Sequence, residues 1–355
     1  MSTGNLPTRY GVQTPPWSKD GVSVWDIDQM SDAMEHAGLD FEVETTPAQH
    51  RIERLGELDI ENMLLDMKPR TNADYLALVN KAIGQSFDVA DNQMVIRRAD
   101  NHRVFGRCMK NWAALQNHEC FDWFQPLLDS GLVKLDTVGS LGGGKKIWLL
   151  AKIVADPIVI VPGDEIAQYM FLTNGHDGVT AVGAGFTPLR LYCANMFPQL
   201  KTNTATSMIR IRHSANVATK LENLRDMMNL ATREFEATAE QYRELCRHQF
   251  NQKDVEKYVK KLFCKDDEQD KKLSELSTRK RNIVQRVIDL VDTGYGLQGP
   301  QVRGTAFAAF NGVNQYLNYE AGRNSDSRLN SLWYGNNRNM NEQALQVATD
   351  MALAV

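Results

Sequence analysis

The sequence contains no run approaching the ~18 consecutive apolar residues of a membrane span, so a helical integral membrane protein is not expected. Its start, MSTGNLPTRYGVQTPPW, lacks the basic-then-apolar pattern of a secretory signal, and the expected compartment is the cytoplasm. Cysteine is scarce. The five residues, at 108, 120, 193, 246 and 264, form no C-x-x-C pair, which argues against a disulfide scaffold and for reduced thiols. No internal repeat is visible. No ligand set has the spacing of a zinc site, and neither a metal nor a cofactor is expected.

A phosphate-binding loop is nearly present. In GSLGGGKKIWLLAKI (139–153), Gly139, Gly144 and Lys145 match G-x-x-x-x-G-K. Such a loop must open a helix whose N-terminal amides face the phosphates, and it needs a Ser or Thr for magnesium. Lys146 stands where that hydroxyl belongs. The residues that follow, Ile147-Trp148-Leu149-Leu150, favour a strand, and no apolar strand ending in Asp supplies the second carboxylate. The segment therefore reads as the glycine turn of a hairpin joining 132–138 to 146–153.

What is present suits a packed protein of one large or two ordinary domains. Of the 355 residues 43% are apolar and 24% charged. The net charge of −4 conceals a gradient. Residues 1–94 carry 7 Lys/Arg against 16 Asp/Glu, residues 95–215 carry 13 against 9, and residues 216–355 carry 20 against 19. Only the middle third favours a cationic surface.

The patterning predicts a short helix through Ala37 stopped by Gly38, a strand FEVETTP ended by Pro47, and a helix from Thr71 with Asp74 as capping partner. MVIRRADNHRVFGRCM reads as a hairpin turning at Asp100-Asn101. A short amphipathic helix around Phe121 and Phe124 precedes alternating β segments that run to SMIRIRHSAN. From Asn216 the character becomes helical, with helices expected near 217–250, 252–263, 270–291, 304–322 and 341–354. RNSDSRLNSLWYGNNRN reads as a polar loop. The fold class is α+β with a largely antiparallel sheet. The division expected is 1–215, an α+β part with basic hairpins, and 216–355, a helical part that packs on it or mediates oligomerisation.

The cations cluster on three β elements: Arg97, Arg98, Arg103 and Arg107 on the first hairpin, Lys145 and Lys146 at the glycine turn, and Arg210 and Arg212 on the last strand. With Trp148 as a stacking face, these residues make a recipe for single-strand nucleic-acid binding, provided the three elements are neighbours in one sheet. The alternative is that Trp148 is core and the arginines are solvated edge charges. TNGHDGVTA places Asn174 before, and His176 and Asp177 between, a pair of glycines, as a turn, a metal corner or a catalytic loop. His213 and Cys193 are further candidates that no spacing ties to it.

The ordered motifs YGVQTPPWSKDG, AGLDFEVE, MVIRRADNHRVFG, VGSLGGGKKIWLLAKI, LTNGHDGVTA, LYCANM and IRHSAN resemble a phage- and plasmid-related family of domains of unknown function. The tail GTAFAAFNGVNQYLNYEAGRNSDSRLNSLWYG is similar to that family's C-terminal part. The charged stretch around 250–280 departs from it, since similar proteins more often have a shorter central helical region. The resemblance implies a role in mobile-element DNA metabolism or defence in a bacterial host cell. The order of hairpins, helix and trailing helices is similar in architecture to phage single-strand annealing recombinases. On that footing the expected function is ATP-independent single-stranded DNA binding and annealing, without bond-breaking chemistry. The expected partners are single-stranded DNA, further copies of the chain in a ring or filament, and phage or host replication and recombination proteins. The rival readings are a metal-dependent nuclease using His176 and Asp177, and a non-enzymatic counter-defence or assembly protein.

Overall fold

The computed structural model describes residues 15–51, 65, 67–68, 70–85, 87–191, 208–211, 224–297 and 299–354. It is an α+β fold built on two antiparallel sheets. The larger contains β1 (Gly21–Ser23), β5 (Val133–Leu141), β6 (Lys146–Ile153), β7 (Ile158–Val161), β8 (Asp164–Gly175), β9 (Val182–Arg190) and β10 (Met208–Ile211). Its order is β1-β5-β6-β8-β9-β10, with β7 also pairing β8. The smaller has the order β2-β3-β4, from β2 (Val43–Arg51), β3 (Phe87–Arg98) and β4 (Val104–Met109).

Helices α1 (Met30–His36), α2 (Asn72–Gln85), α3 (Asn117–Phe121) and α4 (Gln125–Asp129) lie between the early strands. After the sheet come α5 (Leu224–Arg247), α6 (Gln252–Phe263), α7 (Thr278–Thr293), α8 (Ala306–Tyr319), α9 (Ser325–Tyr334) and α10 (Asn336–Leu353). Among the described residues no helix is long and apolar enough to cross a membrane.

Four local features differ from the patterning or refine it. β2 continues past Pro47 to Arg51 with a register shift between Pro47 and Gln49. Among the described residues it pairs only with β3, and an edge strand tolerates the missing N–H of proline. The segment read as a polar loop contains α9. Asn324 accepts from Ser327 N at its start, and Leu329, Leu332 and Trp333 bury a stripe at helical spacing. The helix expected from 270 begins at Thr278, where the Ser277 hydroxyl accepts from Lys280 N. Thr71 and Asp74 do exchange capping bonds, Asp74 N to Thr71 Oγ1 and Thr71 N to Asp74 Oδ2.

The large sheet is buried along all of β9 and nearly all of β8, so both of its faces are covered. One cross-strand row runs Gly21, Gly139, Trp148, Thr173, Gly183, Arg210. Trp148 lies over its two glycine neighbours. A Cβ on Gly21 or Gly139 would collide with the indole, and at Gly139 also with the Asp20 carbonyl. Trp333 of α9 stands edge-on to Trp148 at 4.7 Å and tilted on Phe171 at 4.8 Å. Register puts Phe186 on the opposite face from Phe171, and there Phe235 of α5 meets it edge-on at 6.3 Å. The helical region is thus packed on the sheet in a shared core.

α8 is the central helix, buried on nearly every side. Its asparagines satisfy one another inside: Asn318 donates to the Asn314 carbonyl at 2.8 Å, and Asn314 donates to Asn341 of α10 at 2.9 Å. Arg190 at the end of β9 is also buried. It binds Asp164 through two nitrogens and donates to the carbonyls of Tyr295 and Gly296, which fastens the 294–297 loop to the sheet.

Gly139→Ala is expected to lower the unfolding free energy by about 1–3 kcal/mol through overpacking against Trp148. Gly299→Ala, where no atom lies within 4 Å, should stay within about 0.5 kcal/mol of the parent. Urea titration of both variants measures the difference.

Candidate nucleic-acid interface

The three cationic elements do not share one sheet. Arg97, Arg98, Arg103 and Arg107 belong to the β3–β4 hairpin of the small sheet, whereas Lys146 and Arg210 lie on β6 and β10 of the large one. β8 and β9 intervene between β6 and β10, three interstrand steps of ~4.8 Å, or about 14 Å. Arg212 and His213 lie outside the described residues, as does the side chain of Arg210.

The two sheets meet at the glycine turn between β5 and β6. Gly142, Gly143 and Gly144 all have positive φ, at 62°, 67° and 103°. The turn is a hairpin connection between antiparallel strands, as its sequence suggests. Phe41 and Phe105 close over Gly144, leaving a Cβ there little room. Gly106 of β4 abuts the Asp177 backbone, and Gly178 abuts the Arg107 carbonyl. A side chain at either glycine would collide with that backbone. The seam between the sheets is therefore backbone against backbone, and glycine on both sides permits it.

His176 is an anchor of this seam. Its ring is fully buried, stacked with Phe105 and edge-on to Phe41, each at 6.1 Å between centroids. Its backbone N–H donates to the Lys145 carbonyl at 2.7 Å. The Asn117 amide donates to the Leu39 carbonyl at 2.8 Å, so its Oδ1 is the acceptor for His176 Nε2, 2.7 Å away. Asn174 donates to the Leu115 carbonyl at 2.9 Å. Asp177 turns back on its own loop, where its carboxylate accepts from Val179 N, Thr180 N and Thr180 Oγ1 at 3.1, 2.7 and 2.7 Å. Of the three earlier readings of TNGHDGVTA, the geometry is that of a turn. Burial drives the Cys120 thiol far up and holds the Cys246 thiol at about 12, so neither is a thiolate at neutral pH.

The candidate cations divide into two sets. Arg97 is paired with Glu44 at 2.8 Å, and Arg98 makes a two-point contact with Asp100 at 2.7 Å while lying 4.2 Å over the Phe41 ring. Lys146 donates to Asn330 at 2.7 Å, lies 3.7 Å from Asp177 and sits 4.4 Å over the Tyr334 ring. These three charges are already engaged.

Trp148, expected as a stacking face, is buried beneath Trp333, because the glycines beside it leave room for the indole inside the sheet. The hairpin tip is also clasped rather than projecting: Gly142 N donates to Asp326 of α9 at 2.8 Å, and Gly143 is the exposed glycine of the three.

Arg103, Arg107 and Lys145 have no acidic partner among the described residues, and Arg103 and Arg107 are exposed. Arg103 lies against Gly143, where its guanidinium occupies the space a side chain would need and reaches the Gly142 carbonyl at 3.5 Å. Lys145 curls beside Gly142. The first hairpin and the glycine turn therefore present their free cations together. Lys110, exposed at the end of β4, extends the line and was missed by the sequence reading; its signal was its place one residue past VFGRCM. Register also puts Arg97, Arg107 and Met109 on one face of the small sheet, through the pairs Arg97↔Val104, Val95↔Arg107 and Gln93↔Met109.

A family model described as a domain of unknown function, DUF932, matches residues 104–333. The match opens at the first residue of β4 and closes at Trp333, so it takes in Arg107, the glycine turn and the 177–180 turn, and leaves out Arg97, Arg98 and Arg103. No curated protein and no solved structure matches the chain.

Desolvation pulls the Asp177 carboxyl upward, but the Thr180 and Val179 hydrogen bonds and the Lys146 charge outweigh it and hold the group below the usual range. The stability it contributes is present above the unfolded carboxyl's value of ~3.9 and is lost as pH falls through the lower folded value. Asp177→Ala should cost about 2 kcal/mol at pH 7. The gap to the parent should narrow as denaturation is repeated at successively more acid pH below ~4.

Proposed function

The chain belongs to the DUF932 family of domains of unknown function, and we propose that it binds single-stranded DNA along the edge of β4 and anneals complementary strands without ATP. The observation that carries this reading is Arg103 lying against Gly143. It joins the β3–β4 hairpin to the glycine turn and brings Arg103 beside the turn that carries Lys145, with Arg107 on β4 and Lys110 just past its end. Free cations along an extended edge neutralise successive phosphates and read no base identity, as annealing of arbitrary sequences requires.

No nucleotide is called for, since Gly142–Gly144 link two strands and open no helix. Annealing breaks no bond; it needs two strands with their charge screened and their bases free. The six residues of β4 at ~3.3 Å each give the edge about 20 Å, enough for only a short piece of strand. Several copies acting side by side, in a ring or filament, would supply the length, and cooperative binding along a strand is usual for such proteins. Service to a phage or plasmid in recombination or replication fits this activity. No comparable observation favours a nuclease, because His176 and Asp177 are occupied in holding the seam.

The test is fluorescence anisotropy of a labelled oligonucleotide across a salt series. Affinity should fall with salt, and Arg103→Ala, Arg107→Ala or Lys110→Ala should each flatten the log–log slope by about 0.7. Arg97→Ala, which removes a charge already matched by Glu44, should leave the slope nearly unchanged. Affinity indifferent to salt would remove the proposal.

A further inference from the structure

A cavity of about 250 Å³ opens between the turn joining β7 to β8 and the 296–302 loop, which lies on the connection from α7 to α8. It is remote from the cationic edge. Asp164 starts β8, and Gly175, the register partner of Lys146, ends it. Eleven steps of ~3.3 Å, about 36 Å, separate the two ends. Packed proteins leave few gaps larger than a water. At ~30 Å³ per water, this one has room for about eight. Nothing crowds Gly299 on its wall, where a Cβ would meet no atom within 4 Å.

The back of the cavity is a buried ion pair, Arg190 at 1% exposure and Asp164 at 5%. Arg190 engages its N–H groups within the protein. Nε reaches both Asp164 oxygens at 2.8 and 3.0 Å. Nη1 donates to the Tyr295 carbonyl at 3.2 Å and to Asn311 Oδ1 at 3.4 Å. Nη2 donates to Asp164 Oδ2 and to the Gly296 carbonyl, the latter at 2.9 Å. No guanidinium N–H is left for an anion.

The carboxylate is different. It offers about four lone-pair sites, and among the described residues its Oδ1 accepts only from Nε. A buried acceptor with spare capacity suits a hydrogen-bond donor. A full positive charge would also face the guanidinium, so the fitting donor is an uncharged N–H. Val161, Pro162, Pro300 and Val302 make the sides apolar, and the remaining polar side chain on the lining is Gln301, which is exposed. A sugar of this size would set unpaired hydroxyls against those sides.

We infer that the cavity binds a free, uncharged, flat heterocycle of nucleobase size, with its amino group donating to Asp164 and its ring against the prolines and valines. Such a ligand would bridge the sheet to the loop that leads into α8. The site is independent of strand binding, since it lies at the other end of β8 and has no free cation for a phosphate.

The experiment uses the full chain with two probes, adenine and 1,3-dimethyluracil, the second a ring of similar size with no N–H. Saturation-transfer NMR reads binding and a melting curve reads stabilisation. Adenine should bind and raise the melting temperature. 1,3-Dimethyluracil should bind about tenfold more weakly or worse, which is 1.4 kcal/mol for the acceptor left unpaired. Val302→Phe, which fills the cavity, should abolish adenine binding; Val161→Phe, at the half-buried rim, replaces it where the first variant fails to fold. Equal binding of the two probes overturns the donor assignment. Adenine binding that survives the filling overturns the site, and no adenine signal with wild type overturns the inference outright. Single-strand binding stands in each case.

Discussion

The indole of Trp148 fills the space that Gly139 and Gly21 leave empty, and much of the molecule is arranged around that filling. A tryptophan in mid-strand would ordinarily stand up from a sheet. With glycine as its neighbour on two successive strands it lies across them instead, and Trp333 can then approach edge-on. That contact brings α9 down onto the sheet, and with it Asp326, Asn330 and Tyr334, which clasp the glycine turn and Lys146. One aromatic pair thereby couples the C-terminal helices to the turn that the small sheet must meet.

The seam between the sheets obeys a second constraint. Two backbones approach so closely at Gly106 and Gly178 that no side chain fits between them, and at Gly144 the rings of Phe41 and Phe105 take up the room. Buried peptide groups at such a seam need partners, and the polar residues there provide them. His176 and Asn117 bridge the strands and helix, while Asp177 takes up the amides of its own turn. Residues that have the composition of a catalytic loop are consumed as structural connectors. The free charge is pushed outward, onto Arg103, Arg107, Lys110 and Lys145.

Much of the architecture was legible from local chemistry. Asp100-Asn101 marked the first hairpin, the glycine run marked the second, and the β-rich runs on either side of the glycines marked β5 and β6. The departure of the glycine segment from a phosphate loop was legible too, since Lys146 replaces the hydroxyl and a strand follows. What misled were residues whose meaning depends on a partner far away in the chain. RNSDSRLNSLWYG is polar enough to read as a loop because only Leu329, Leu332, Trp333 and Tyr334 pack on the core. Trp148 reads as a platform for bases until Trp333, 185 residues later, is known to cover it.

The sequence by itself determined the fold class, the hairpin turns, the Thr71–Asp74 cap and which third of the chain is cationic. Each of these follows from backbone preference or charge within a few residues. Tertiary structure alone decided which of those cations are free. Glu44 silences Arg97, Asp100 silences Arg98, and Asp177 and Asn330 engage Lys146, whereas Arg103 and Arg107 are left in solvent. The physical reason is that a charge's availability is a property of the pair. Pairing across strands and sheets is set by register and by the close approach that glycine allows, neither of which a linear reading of residue types contains.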